Sequence, residues 1–240
     1  GLGMAILPLE LSEVSLHADG RALLDAISLR IEAGPKTIIL GANGAGKSLL
    51  LRVCHGLLSP RRGGVQWQGP DAGEQRKRQA MVFQDPVMLR RSVYANVAYG
   101  LVIHRVPRSE RGQRIAEVLE CTGLADFAMR AAPTLSGGEQ QRLALARVWA
   151  LQPEVLFLDE PTASLDPGAT AAVEAIVEDM HAQGCKLVMT THDMGQARRL
   201  ADEVIFLHQG RVDERAAAAD FFANPQSETA NAFLEGKLLW

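Results

Sequence analysis

The chain is poor in aromatic side chains: they make up 5% of its 240 residues, so small apolar residues must supply most of any core. It also lacks a basic surplus. With a formal net charge of −3 and no strongly basic half, it does not read as a protein that grips nucleic acid. Its three cysteines, Cys54, Cys121 and Cys185, lie far apart and form no metal-spaced pair, which points to free thiols in a reducing compartment. No apolar run approaches the roughly 20 residues that span a bilayer. Nor is there a charged start leading into an apolar stretch and a small-residue cleavage site, so the expectation is a cytosolic chain without a signal peptide. Gly1-Leu2-Gly3, ahead of Met4, are assigned no function. Internal repeats and low-complexity segments are absent.

What remains is a composition that is 47% hydrophobic and 22% charged, suited to one large α/β domain or a domain carrying an insertion. Residues 9–31 alternate in a strand-like way around Asp19-Gly20. KTIIL (36–40), VQWQG (65–69), AMVFQ (80–84), VLFL (155–158) and KLVMTT (186–191) read as short strands. SLLLRVCHGLL (48–58) reads as a buried helix and 169–184 as another, with Gly184 as its stop. Between them DAGEQRKRQ (71–79) is polar, and its run Arg76-Lys77-Arg78 reads as a solvated face. From about 92 to 132 the pattern is helical and lacks β-branched runs, which marks an all-helical insertion. EVIFLHQGRVDE (203–214) reads as a strand pair turning at Gln209-Gly210. Strands alternating with helices imply a mainly parallel sheet covered on both faces.

The strand KTIIL runs straight into GANGAGKS (41–48), which fits the GxxxxGKS phosphate loop in full. Its backbone, from Gly41, Ala42, Asn43, Gly44, Ala45 and Gly46, can curl so that successive N–H groups point at one anion. The loop ends at a helix N-terminus, where orphan N–H groups and the dipole favour negative charge. Lys47 neutralises outer phosphates, and Ser48 offers an oxygen to Mg²⁺.

Asp159 and Glu160 follow the apolar strand VLFL, at the strand end where open α/β sheets bind ligands. Adjacent strand residues point opposite ways, so Asp159 can hold Mg²⁺ through water while Glu160 orients the attacking water. An acidic turn or N-cap is the competing use of such a pair. Gln84 ends AMVFQ, where its amide can reach Mg²⁺ or the lytic water, and His192 ends KLVMTT, where its ring can bond a γ-phosphate. Each is also a residue type that serves structure alone at such places.

A second phosphate cradle starts at Ser136. Ser136 and Glu139 have the spacing of a capping box, which starts a helix. That box requires neither Gly137 nor Gly138, whereas an anion approaching the helix N-terminus is helped by both.

With this stretch, LSGGEQQR, the chain resembles the ATP-binding cassette family over almost its whole length. GANGAGKS resembles the family's Walker A loop, Gln84 its Q-loop, LSGGEQQR its signature, VLFLDEP its Walker B strand, SLD (164–166) its D-loop and THD (191–193) its His switch. The resemblance implies an α/β P-loop NTPase core with a mainly parallel sheet, an N-terminal antiparallel β subdomain and an inserted α-helical subdomain. Residues 4–240 would form one ATPase domain. Its RecA-like core and β subdomain would occupy about 4–85 and 153–240, and the helical subdomain about 86–152.

Two cassettes of that family pair head to tail. By resemblance, Leu135, Ser136, Gly137, Gly138 and Glu139 would meet the γ-phosphate of the ATP held by a second copy, and Asp166 would lie along the seam. ATP and Mg²⁺ are the implied ligands, with Ser48, Gln84 and Asp159 around the metal. The aromatic that usually stacks on adenine falls near Ala18, leaving His17 as the nearby ring.

VFQDPVMLRRSVYANVAYGL and the tail FFANPQSETANAFLEGKLLW resemble cassettes of bacterial oxyanion importers for tungstate, molybdate or phosphate. Amino-acid importers and soluble non-transport cassette ATPases are the alternatives. The implied partners are a second copy, integral membrane permease subunits and, through them, a solute-binding protein, with no nucleic acid. The implied location is peripheral, on the cytoplasmic face of the membrane. Met88, Leu89, Val93 and Tyr94 are the apolar candidates for permease contact or for packing of the insertion.

Overall fold

The computed structural model describes residues 5–69 and 71–237. Gly1 to Met4 and the last three residues of the oxyanion-importer-like tail lie outside the described residues. The chain divides into two compact units: one runs up to Gln79 and resumes at Lys186, the other runs from Ala80 to Cys185. The first unit begins with β1 (Leu9–Ala18), β2 (Arg21–Ile31), β3 (Thr37–Leu40), α1 (Lys47–His55), β4 (Arg62–Trp67) and α2 (Ala72–Lys77). β5 (Gln79–Val82), all but its first residue in the second unit, is followed there by α3 (Val93–Ile103), α4 (Arg108–Cys121), α5 (Gly137–Trp149), β6 (Val155–Asp159) and α6 (Pro167–Ala182). The first unit then continues with β7 (Lys186–Thr191), α7 (Met194–Leu200), β8 (Glu203–His208), β9 (Arg211–Ala217), α8 (Ala218–Ala223) and α9 (Glu228–Leu234).

In the first unit, β2, β1 and β4 form an antiparallel sheet with Leu9 opposite both Ile31 and Trp67. Leu9, Leu11, Val14, Leu24, Ile27 and Ile31 bury one side of it. The alternation is not strict, because β1 changes register between Leu11 and Val14 and Glu13 takes a φ of 49°. Such irregularities shift which side chains face inward.

β3 lies parallel to β7 on one side and to β8 on the other, while β9 returns antiparallel to β8. All four residues of β3 and all six of β7 are buried, as a parallel strand covered on both faces requires. The β8–β9 turn has Gln209 and Gly210 both at positive φ, 47° and 77°, the twist that suits a tight hairpin. At the start of β7, the buried Lys186 ammonium donates to Thr37 Oγ1 (2.9 Å) and to the Pro35 carbonyl, and Thr37 in turn donates to Glu203 (2.6 Å).

The polar stretch 71–79 contains the short helix α2, started by Asp71, whose carboxylate accepts the N–H groups of Gly73 (2.9 Å) and Glu74 (3.2 Å). None of α2 is buried, and Lys77 and Arg78 pair with Glu74. Surface pairs of this kind contribute little to stability.

The second unit holds the helical segment, with β5 and β6 as hydrogen-bonded neighbours. α5 packs against α3, α4 and α6. Val97, Leu101, Ile115, Leu119, Leu143 and Ala146 fill the core between the helices. Val93 is fully buried in that core, so of the four contact candidates it belongs to packing. Met88 packs partly against the same core, and Tyr94 is 40% exposed. Asn96, also buried, donates to the carbonyls of Leu89 (3.2 Å) and Ser92 (2.9 Å) and accepts the Leu89 N–H (2.9 Å), fixing the loop before α3.

Cys54 and Cys185 are buried thiols in no disulfide among the described residues, each with its pKa pushed up to about 12 by burial, and Cys121 is exposed. Among the described residues no helix is long and apolar enough to cross a membrane.

Candidate functional site

The first unit carries the phosphate loop. β3 ends at Leu40, and the Gly41 N–H donates to the Thr191 carbonyl (3.3 Å), which ties the start of the loop to the end of β7 beside His192. Gly44 and Gly46 take φ values of 86° and 103°, a region closed to most side chains, and this turns the chain into α1. α1 begins at Lys47 with Gly46 as its N-cap, and no side chain caps it. An N-terminus of that kind suits an anion, because its first N–H groups lack intrahelical acceptors. Lys47 is 5% exposed and its ammonium donates to the Ala42 carbonyl (2.9 Å), so the charge lies over the curled loop.

His192 is exposed directly after β7. The neighbouring Asp193 is the N-cap of α7, accepting from Gly195 (2.8 Å) and Gln196 (3.2 Å). His17 is also exposed, near the end of β1 opposite Ala22.

The second unit carries the other candidates. β6 ends at the buried Asp159, and Glu160, half-buried, turns the chain with a φ of 42°. A non-glycine residue held there is strained, a condition that clusters at functional sites. Gln84 lies two residues beyond the end of β5, exposed, and its amide Nε2 donates to the Ser164 hydroxyl (3.0 Å). The structure thus joins Gln84 to the loop that carries Asp166. Asp166 has a local task as well, capping α6 by accepting the Ala169 N–H (2.8 Å).

The capping box at Ser136 is complete. Ser136 Oγ accepts the Glu139 N–H (3.2 Å) and the Glu139 carboxylate accepts the Ser136 N–H (2.9 Å). That backbone N–H, more than any other group, holds the Glu139 carboxyl below the usual carboxylate range. Leu135 is buried beneath the box, whereas Ser136 and Gly137 are exposed. The two glycines differ. A β-carbon on Gly138 would come within 2.8 Å of the Ala169 Cβ, so packing of α5 on α6 already excludes a side chain there. One on Gly137 would meet only Leu165 Cδ2 at 3.6 Å, an ordinary contact.

Gln141, which the sequence reading did not single out, sits one turn further along α5 and is 1% exposed. Its amide donates to the carbonyls of Phe83 (2.9 Å) and Pro161 (2.7 Å), the neighbours of Gln84 and Glu160. Its position in LSGGEQQR was visible, but nothing in the sequence indicated that its side chain points inward.

The architecture is the α/β fold of a P-loop NTPase, with an antiparallel sheet beside a mainly parallel one. The chain belongs to the ABC transporter family, which matches its residues 24–163. It is 36% identical to the phosphate import ATP-binding protein PstB 2 of Natronomonas pharaonis, over 97% of this chain and 88% of that protein. The tungstate uptake system ATP-binding protein TupC of Peptoclostridium acidaminophilum is 41% identical, over 81% of this chain and 92% of that one. The methionine import ATP-binding protein MetN of Leifsonia xyli subsp. xyli is 39% identical over 90% of this chain, which spans 66% of that longer protein. Among solved structures, cbiO1 from Clostridium perfringens, described as part of the ABC transporter complex cbiONQ, superposes with a TM-score of 0.82 at 32% identity, covering 92% of each chain.

Proposed function

We propose that this chain is the ATP-hydrolysing subunit of a solute importer and that it works as a head-to-tail dimer holding two ATP molecules between its copies. The observation that carries the reading is the curled loop Gly41–Ser48, which delivers an N-terminus without a side-chain cap and a buried lysine to one place. Residues 4–85 and 153–240 serve as the nucleotide-binding core and β subdomain, and 86–152 as the helical subdomain.

Within each chain the backbone of residues 41–48 and the Lys47 ammonium bind the phosphates, and His17 faces the base. Ser48, Asp159 and Gln84 offer hydroxyl, carboxylate and amide oxygens, hard donors that suit Mg²⁺. The Gln84 Nε2 is engaged by Ser164, so its amide oxygen is the atom to turn toward a cation. When bound, Mg²⁺ neutralises charge on the phosphates. Glu160 orients the attacking water and draws its proton, and His192 bonds the γ-phosphate. Leu135 to Glu139 close the site of the second copy, and Asp166 lies along the seam.

The second unit exposes Val87 (83%), Tyr99 (47%), Val102 (51%) and Ile103 (56%) together with Tyr94, which supports a permease contact on the helical segment. The chain would act on the cytoplasmic face of the membrane, with a solute-binding protein as an indirect partner. An oxyanion such as tungstate or molybdate is the solute we favour. The names of two relatives, one for phosphate and one for tungstate, support an oxyanion, and a methionine import protein of similar identity marks the alternative. Identifying the solute held by the binding protein encoded beside this chain decides between them. The ATPase reading is tested by Mg²⁺-dependent phosphate release from the purified chain. Lys47→Ala should lower it about 100-fold, and wild-type turnover in that variant would refute the assignment of the loop.

A further inference from the structure

Gln141 makes an unusual commitment for a buried side chain. Its Nε2 has two protons, and both are used: one bonds the Phe83 carbonyl (2.9 Å), the other the Pro161 carbonyl (2.7 Å). Its Oε1 is buried and, among the described residues, has no hydrogen-bond partner. Leaving a buried acceptor bare is unfavourable, a cost set against the two carbonyls that the amide satisfies.

The two carbonyls show what it holds. β5 ends at Val82, so Phe83 is the first residue off the strand and Gln84 the next. β6 ends at Asp159, so Pro161 follows Glu160 and its strained backbone. One amide from the middle of α5 therefore grips both segments that carry the proposed water- and metal-binding side chains. Further along the same helix, the Arg147 guanidinium donates to the Val87 carbonyl (2.9 Å). α5 thus holds the segment bearing Gln84 at both of its ends.

We propose that Gln141 is a positioning residue for ATP hydrolysis, tying Gln84 and Glu160 to the helix whose N-terminus is the signature. This rests on the reading that Ser136 and its glycines engage the ATP of a second copy. A displacement of α5 on that engagement is carried by Gln141 to the two loops of its own chain. Each site is then set for hydrolysis only when the chain's signature has found the other nucleotide.

The test is Gln141→Met, which keeps the length and removes both donors together with the bare acceptor. In Mg²⁺-ATP the folded variant should retain its KM within about twofold and lose kcat by at least about tenfold. A merely structural role would lower the thermal midpoint and leave kcat per folded molecule unchanged, and that result overturns the proposal. If Gln141→Met does not fold, Arg147→Met decides in its place: kcat should fall at unchanged KM, and wild-type kcat overturns the proposal. Glu160→Gln separates this inference from the reading beneath it. If that variant does not dimerise in ATP, the dimer reading has failed. If it dimerises while Gln141→Met turns over like wild type, only the role of Gln141 has failed.

Discussion

Gly138 lies so close to Ala169 that a β-carbon on it would reach to within 2.8 Å of the Ala169 Cβ, while the adjacent Gly137 has room for one. The two glycines of the signature therefore have separable causes. Gly138→Ala should destabilise the fold by about 1–3 kcal/mol through overpacking, and Ala169→Gly in the same chain should relieve that clash and restore stability. Gly137→Ala should leave stability unchanged or raise it by about 0.5–1 kcal/mol, as an added β-carbon does in a helix, yet lower turnover. Denaturant unfolding and phosphate release on the four chains check this. Wild-type turnover in Gly137→Ala would remove the ligand role from that residue.

The hydrogen bond from Gln84 to Ser164 orients the Gln84 amide. Gln84→Ala should lower kcat about tenfold with little change in KM, because a misplaced water or metal costs rate more than binding. Ser164→Ala should move kcat in the same direction by about two- to fourfold. Steady-state kinetics on both variants provide the readout. A Ser164→Ala chain with wild-type kcat would mean that the hydroxyl does not aim the amide.

Lys186 gives a pH dependence with a definite sign. Burial, only partly opposed by Glu203 and Asp202, lowers its ammonium from the ordinary 10.5 to about 8. Between those values the unfolded chain binds the proton and the folded chain does not, so this group's contribution to stability rises with pH across that window. Below it the folded chain bears the full penalty of burying the charge. The difference in unfolding free energy between wild type and Lys186→Met should therefore grow in favour of wild type from about pH 8 upward. Cys54 and Cys185, whose thiols are raised to about 12, act in the opposite sense but are common to both chains and cancel. A pH-independent difference would contradict the assignment.

The parts of the candidate site legible in the sequence are those where the proposed chemistry requires residue types at fixed spacing. GANGAGKS, the carboxylates after VLFL, and LSGGEQQR announce themselves because a phosphate leaves the backbone few choices. The Gln209-Gly210 hairpin was equally plain. What stayed hidden depends on contacts between distant residues or on backbone angles. Gln141 reaches carbonyls 58 and 20 positions away, and no local pattern encodes that reach. The left-handed backbone of Glu160 cannot be read from its residue type, because glutamate adopts it only when the surrounding fold imposes it. α2 was missed as a helix since six residues are too few to display a period. Val93 belongs to the core because α3 turns it inward, which its place beside Tyr94 did not disclose.

The claim that each ATP is held between two copies has one direct test, light scattering of the Glu160→Gln chain with and without Mg²⁺-ATP. Removing the water-orienting carboxylate should lower turnover about 100-fold or more while leaving nucleotide binding intact. The chain should then double its mass from 25.9 kDa on adding ATP. Ser136→Arg added to it should keep the mass at 25.9 kDa with ATP still bound. A Glu160→Gln chain that binds ATP and remains monomeric would contradict the claim, as would a Ser136→Arg monomer that has lost its nucleotide.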